Sequence, residues 1–145
     1  MNLQRQWLTS DTELELKEGN PVRVQNIFER RITDHCLEPD VWTEYVNYLE
    51  KNLKDYQSSK MLLKRAVRNC TWSSRLWIRL LRCYERLECP RHEILQVMEN
   101  ALQSGLATPQ DYRDVWLAYI GQFSHQLFIK LTAYFCEWHS HEHCT

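Results

Sequence analysis

The sequence predicts an all-α fold, a right-handed α-solenoid of antiparallel helix pairs, on three observations. Tryptophan recurs at a near-constant interval: Trp7, Trp42 and Trp77 stand 35 residues apart, and Trp116 follows after 39. Apolar residues between those tryptophans keep the i, i+3/i+4 spacing of a helix face. Turn formers are scarce, with 3 Gly and 4 Pro in 145 residues, too few to punctuate a many-stranded fold. A period of this length marks supersecondary units that bury their apolar faces against their neighbours.

The first period opens at Trp7, where Ser10-x-x-Glu13 has the form of a capping box and starts the first helix late. Asn20-Pro21 supplies an N-cap and a proline at the first helical position, and so begins the second helix. That helix carries Phe28-Glu29-Arg30-Arg31-Ile32, a string that returns as Leu63-Lys64-Arg65-Ala66-Val67 and Met98-Glu99-Asn100-Ala101-Leu102. In the second period, Val41, Trp42, Tyr45, Val46, Leu49 and Leu53 line one face over 41–53, and Leu62, Leu63, Ala66, Val67 and Cys70 line another over 59–70. In the third, Leu76, Trp77, Leu80, Leu81 and Tyr84 form the apolar stripe. Gly105 reads as the residue just past a helix end, and Thr108-Pro109-Gln110-Asp111 as a capping box ahead of Trp116. The four extra residues of the last period fall in the Gly105–Pro109 loop, where an insertion costs little. The fourth second helix is due near residue 137, but no matching string stands there. The expected organisation is a repeat array over 1–124 and a divergent tail over 125–145.

Two further positions keep register. Seven residues after each Trp comes a large apolar residue: Leu14, Leu49, Tyr84 and Phe123. One later stand Glu15, Glu50 and Glu85, with Ser124 breaking the series. Each Trp is expected to pack in the groove between its own pair and an adjacent helix. The repeated Glu is expected to be internal, paired as Glu15–Arg30 and Glu50–Arg65, because Arg30, Arg65 and Asn100 share the 35-residue step.

These residues resemble half-a-TPR (HAT) repeats. That family places an aromatic three residues after its Trp (Tyr45 and Tyr119 here, Leu80 in the third period), then a large apolar residue followed by Glu. Its second helix carries a Phe-Glu-Arg-Ala string, and a Pro precedes the next Trp, as Pro39 precedes Trp42. Asn20 to Arg30, Cys36 to Trp42, Arg65 to Cys70 and Asp111 to Trp116 are similar to the middle repeats of U4/U6 small nuclear ribonucleoprotein recycling factors. The resemblance covers roughly residues 12–123 and implies a TPR-like solenoid. It also implies a nuclear, non-enzymatic scaffold in pre-mRNA splicing that binds splicing proteins and deubiquitinating enzymes. A HAT scaffold of messenger-RNA 3′-end processing is the alternative within the family. The usual small Ala is Arg31 in the first period, and nothing matches the RNA-recognition motifs on which RNA binding in that family rests. The chain therefore reads as a piece of a longer protein.

Net charge is −1, unevenly spread. Residues 60–92 hold nine Lys/Arg against two Asp/Glu, and the flanking stretches are each acidic. Arg75, Arg79, Arg82 and Arg86, spaced 4, 3 and 4 apart, fall along one helix face opposite the apolar stripe. They are the candidate partner-binding residues, suited to carboxylates of an acidic protein segment or to an RNA backbone. The competing reading is a solvated face partly neutralised by Glu85 and Glu88. RNA is the weaker partner, since the aromatics fall on the opposite face.

The chemistry-bearing residues point to no enzyme. No phosphate-cradling Gly loop, nucleophile elbow or HExxH occurs; His35, His92 and His125 are isolated. The tail from Cys136 to Cys144 offers thiol and imidazole groups, but its alternating His139, His141 and His143 lack knuckle spacing, so no metal or cofactor is expected. No secretory leader or window near the ~18 apolar residues of a membrane span is visible. The six cysteines, without a CxxC pair, read as reduced thiols, with Cys70 and Cys83 on apolar faces. An uncapped last repeat would expose apolar surface and favour self-association.

Overall fold

A computed structural model describes residues 19–121. Among them every regular element is helical: α1 (Pro21–Asp34), α2 (Pro39–Tyr48), α3 (Tyr56–Asn69), α4 (Ser74–Arg86), α5 (Arg91–Gln103) and α6 over 109–121. The chain divides into two compact units, one ending at Cys70 and the other beginning at Thr71. Trp7, Leu14, Glu15, Phe123 and the 125–145 tail lie outside the described residues.

In the first unit α2 packs against both α1 and α3. The Asn20 side chain accepts hydrogen bonds from the Val22 and Arg23 amides, at 3.2 and 3.4 Å, and Pro21 is the first helical residue. The start of α1 is thus the cap expected. The core comprises Val24, Phe28 and Ile32 of α1, Val41, Trp42, Tyr45, Val46 and Tyr48 of α2, and Leu62, Leu63, Ala66 and Val67 of α3. Phe28 stacks flat on Tyr45 with ring centroids 4.9 Å apart, an arrangement that adds to plain area burial. The long helix expected over 41–53 is α-helical only to Tyr48, and Leu49–Leu53 is a π-helical turn. Such a turn carries one more residue per bond than an α-turn. The segment closes at Lys54, whose φ of 55° is left-handed, and the Asp55 amide returns to the Leu49 carbonyl at 3.0 Å. Asp55 then caps α3 through the Ser58 amide at 2.9 Å.

The second unit pairs α4 with α5. Ser74, Leu76, Trp77, Leu80, Leu81, Cys83 and Tyr84 are buried from α4, and Ile94, Val97, Met98 and Ala101 from α5. Helix α4 ends in a Schellman turn: the Cys89 amide reaches the Tyr84 carbonyl (3.0 Å) and the Glu88 amide the Glu85 carbonyl (2.9 Å). Glu88 occupies its left-handed position, with φ of 50°. Gly105 is left-handed just past α5, as expected. The Thr108–Asp111 box forms reciprocally, with the Asp111 carboxylate accepting from the Thr108 amide (2.9 Å) and the Asp111 amide donating to the Thr108 hydroxyl (3.2 Å).

One polar device recurs in both units. The Trp42 indole donates to the Cys36 carbonyl at 2.8 Å, and the Trp77 indole to the Thr71 carbonyl at 2.9 Å, each six residues upstream. Each carbonyl also receives the side chain that caps the second helix of the same hairpin. Cys70 Sγ donates to Cys36 at 3.4 Å and Ser104 Oγ to Thr71 at 2.9 Å. A buried Trp needs a partner for its N–H. The loop ahead of the helix supplies one and ties the far end of the hairpin to the same atom.

Trp116 corrects the expectation that every repeat Trp packs in a groove. It is 46% exposed, against 1% for Trp42 and 6% for Trp77. α2 and α4 begin three residues before their Trp, whereas α6 begins seven before Trp116. The residue six upstream, Gln110, is inside the helix, so its carbonyl belongs to the helical ladder and not to a loop. Val115 is the fully buried residue of α6 instead, in register with buried Val41 and Leu76.

Candidate functional site

The candidate site is the outer face of α4. Its sequence, SRLWIRLLRCYER, separates into two faces by the 3.6-residue repeat alone. The apolar side is held by the core just described. Two contacts fix its start: the Trp77 indole on the Thr71 carbonyl, and the Ser74 hydroxyl on the Asp111 carboxylate at 2.5 Å. The Ser74 and Thr108 hydrogen bonds hold the Asp111 carboxyl below its ordinary range.

On the opposite side the structure brings Arg75, Arg79, Arg82 and Arg86 into one row. Arg75, Arg82 and Arg86 are exposed and Arg79 is half-buried. At 1.5 Å rise per residue the row spans about 16 Å. Arg75, Arg79 and Arg86 each also engage a neighbour within the protein. Glu85 is half-buried and Glu88 exposed at the C-terminal end, so positive charge is denser toward the start of the helix. Trp77 and Tyr84 lie on the buried side, as expected. Trp72 is the exception that sequence reasoning missed: 40% exposed, it sits in the loop just ahead of α4, off the helix faces. Its signal was its place five residues before Trp77, the place that exposed Leu37 holds before Trp42.

Of the two expected Glu–Arg pairs, Glu15–Arg30 rests on Glu15, outside the described residues, and Glu50–Arg65 is corrected. Glu50 and Glu85 are half-buried, but the carboxylate that Arg65 takes is Glu29, not Glu50. Both arginine nitrogens reach Glu29 oxygens at 3.0 Å, and the guanidinium lies 5.7 Å from the Trp42 ring centroid. Burial, then the Glu29 charge and hydrogen bond, push the Tyr45 phenol up to about 12. Glu50 itself sits on the π turn Leu49–Leu53. Arg31, standing where a small residue is usual, makes a 2.9 Å ion pair with Glu44 and lies over the Phe28 ring.

Cys36, Cys70, Cys83 and Cys89 are free thiols; burial raises the Cys70 thiol to about 11, which keeps it protonated. Among the described residues no group of three or more His, Cys, Asp or Glu is placed to hold a metal ion. The Cys136–Cys144 stretch lies outside them. No helix among the described residues is long and apolar enough to cross a membrane.

No family model matches the chain. It is 40% identical over 108 residues to proteins of Danio rerio and Mus musculus, and 36% identical over 118 residues to one of Homo sapiens. These stretches are 74% to 81% of this chain but only 11% to 12% of each relative. All three carry one name, and over the greater part of its length this chain, helical throughout its described regular elements, belongs to the family of spliceosome associated factor 3, U4/U6 recycling protein, and is homologous to a short segment of it.

Proposed function

We propose that the chain is a protein-binding scaffold segment of a splicing-associated factor, acting in U4/U6 particle assembly and recycling in the nucleus. The homology carries this reading. The recurrence of the Trp–loop carbonyl–cap contact in two hairpins one period apart supports the finer proposal that the hairpins are HAT repeats of a right-handed α-solenoid. In that reading the array runs over 1–124 and the tail over 125–145. Its partners are proteins of the splicing machinery, with deubiquitinating enzymes the further class that the sequence resemblance implies. The role is non-catalytic: the polar side chains described above serve caps, clamps and ion pairs.

Affinity capture from nuclease-treated nuclear extract, read by mass spectrometry, tests the proposal. Retention of U4/U6 particle proteins after the RNA has been destroyed is the expected result. Loss of every such protein on nuclease treatment would show that RNA, not protein contact, held them.

A further inference from the structure

The geometry points to the arginine row of α4 as a docking face for an acidic segment of a partner protein, presented at helical spacing. This rests on the scaffold reading and names the surface and chemistry it uses. Three observations carry it. The row is supported from behind, since the other side of α4 is buried from Ser74 to Tyr84. The four arginines therefore keep a fixed order along the helix, and Arg75, Arg79 and Arg86 would exchange a neighbour within the protein for the partner's carboxylates. Their 4, 3, 4 spacing repeats at about 4.5 to 6 Å along the helix axis, which a second helix with carboxylates at i, i+4, i+7 and i+11 would mirror. Guanidinium groups pair with carboxylates bidentately, so the match selects by geometry as well as by charge.

Chemistry separates this partner from a nucleic acid. Single strands are held by stacking bases on aromatic faces beside the charges, and the aromatics of α4, Trp77 and Tyr84, are on its buried side. Trp72, the exposed ring nearest in sequence, precedes the helix. Glu85 and Glu88 at the far end would repel a continuous phosphate chain, but a partner segment of mixed sequence could place Lys or Arg there.

The test is fluorescence anisotropy with the complete chain and a labelled helical peptide bearing Glu at i, i+4, i+7 and i+11. A Gln version of the peptide and oligouridylate serve as competitors. We expect saturable, salt-sensitive binding, weakened about tenfold or more by R82E/R86E, with little competition from either competitor. Circular dichroism checks that the variant keeps its helix content; if it does not, R82Q/R86Q replaces it and should still weaken binding. Equal binding by the folded variant, or displacement of the peptide by oligouridylate, would overturn the proposal. In the nuclease-treated capture, a folded R82E/R86E variant that retains the same U4/U6 proteins would sink the docking face and leave the scaffold standing. A wild-type chain that retains none would sink the scaffold itself.

Discussion

Trp42 and Trp77 each combine a buried ring with an indole N–H bound to a loop carbonyl. Truncation removes both. Trp42→Ala and Trp77→Ala should each cost about 3–5 kcal/mol in urea unfolding, and Trp116→Ala less than about 1 kcal/mol. Counting along the chain found all three but could not separate them, because burial depends on where the helix begins relative to the ring. The Tyr45 phenol and the Cys70 thiol give a second test. Each binds its proton more tightly in the folded state, Tyr45 at about 12 against 10.0 and Cys70 at about 11 against 9.0. Their stabilising contributions are therefore complete below the unfolded values. They are lost as pH rises from 9 toward 11 for Cys70 and from 10 toward 12 for Tyr45. Urea midpoints should fall over this alkaline window, and Tyr45→Phe and Cys70→Ser should each flatten the fall. An unchanged slope in both variants would rule out these two groups as its source.

At the scale of the element, the helices were legible and their ends only partly so. Asn20, Gly105 and the Thr108–Asp111 box were readable because their chemistry is local. The left-handed turns at Lys54 and Glu88 were not, because neither residue is Gly or Asn. The π turn was missed because Leu49 and Leu53 satisfy an α-helical pattern equally well. These turns carry a strain of about 1 kcal/mol each, so Lys54→Gly or Glu88→Gly should raise stability by up to that amount. The loop-carbonyl clamp depends on its cap side chains: Ser104→Ala should lose about 1 kcal/mol, and Cys70→Ser, which keeps a donor, much less. The Arg65–Glu29 pair was invisible for a different reason. It joins α3 to α1, 36 residues apart, and no periodic rule fixes which acid an arginine selects. Both partners are 44% exposed, so a double-mutant cycle with Glu29→Gln and Arg65→Gln should give a coupling of no more than about 1 kcal/mol.

For the molecule as a whole, one repeating register underlies both the fold and the functional proposal. It puts Trp42 and Trp77 inside their units and leaves the α4 arginines outside, so the candidate site was legible before the structure as the complement of the apolar stripe. Exposed Trp72 was not, since it falls in the loop ahead of α4, where the apolar helix pattern assigns no face. Native-state hydrogen exchange on the intact chain tests the register most directly. The slowest amides should fall in both units, in α2 and α3 around Trp42 and again in α4 and α5 around Trp77, with α6 exchanging faster because Val115 is its one fully buried residue. Slow exchange confined to one unit, or protection in α6 equal to that in α4, would contradict it.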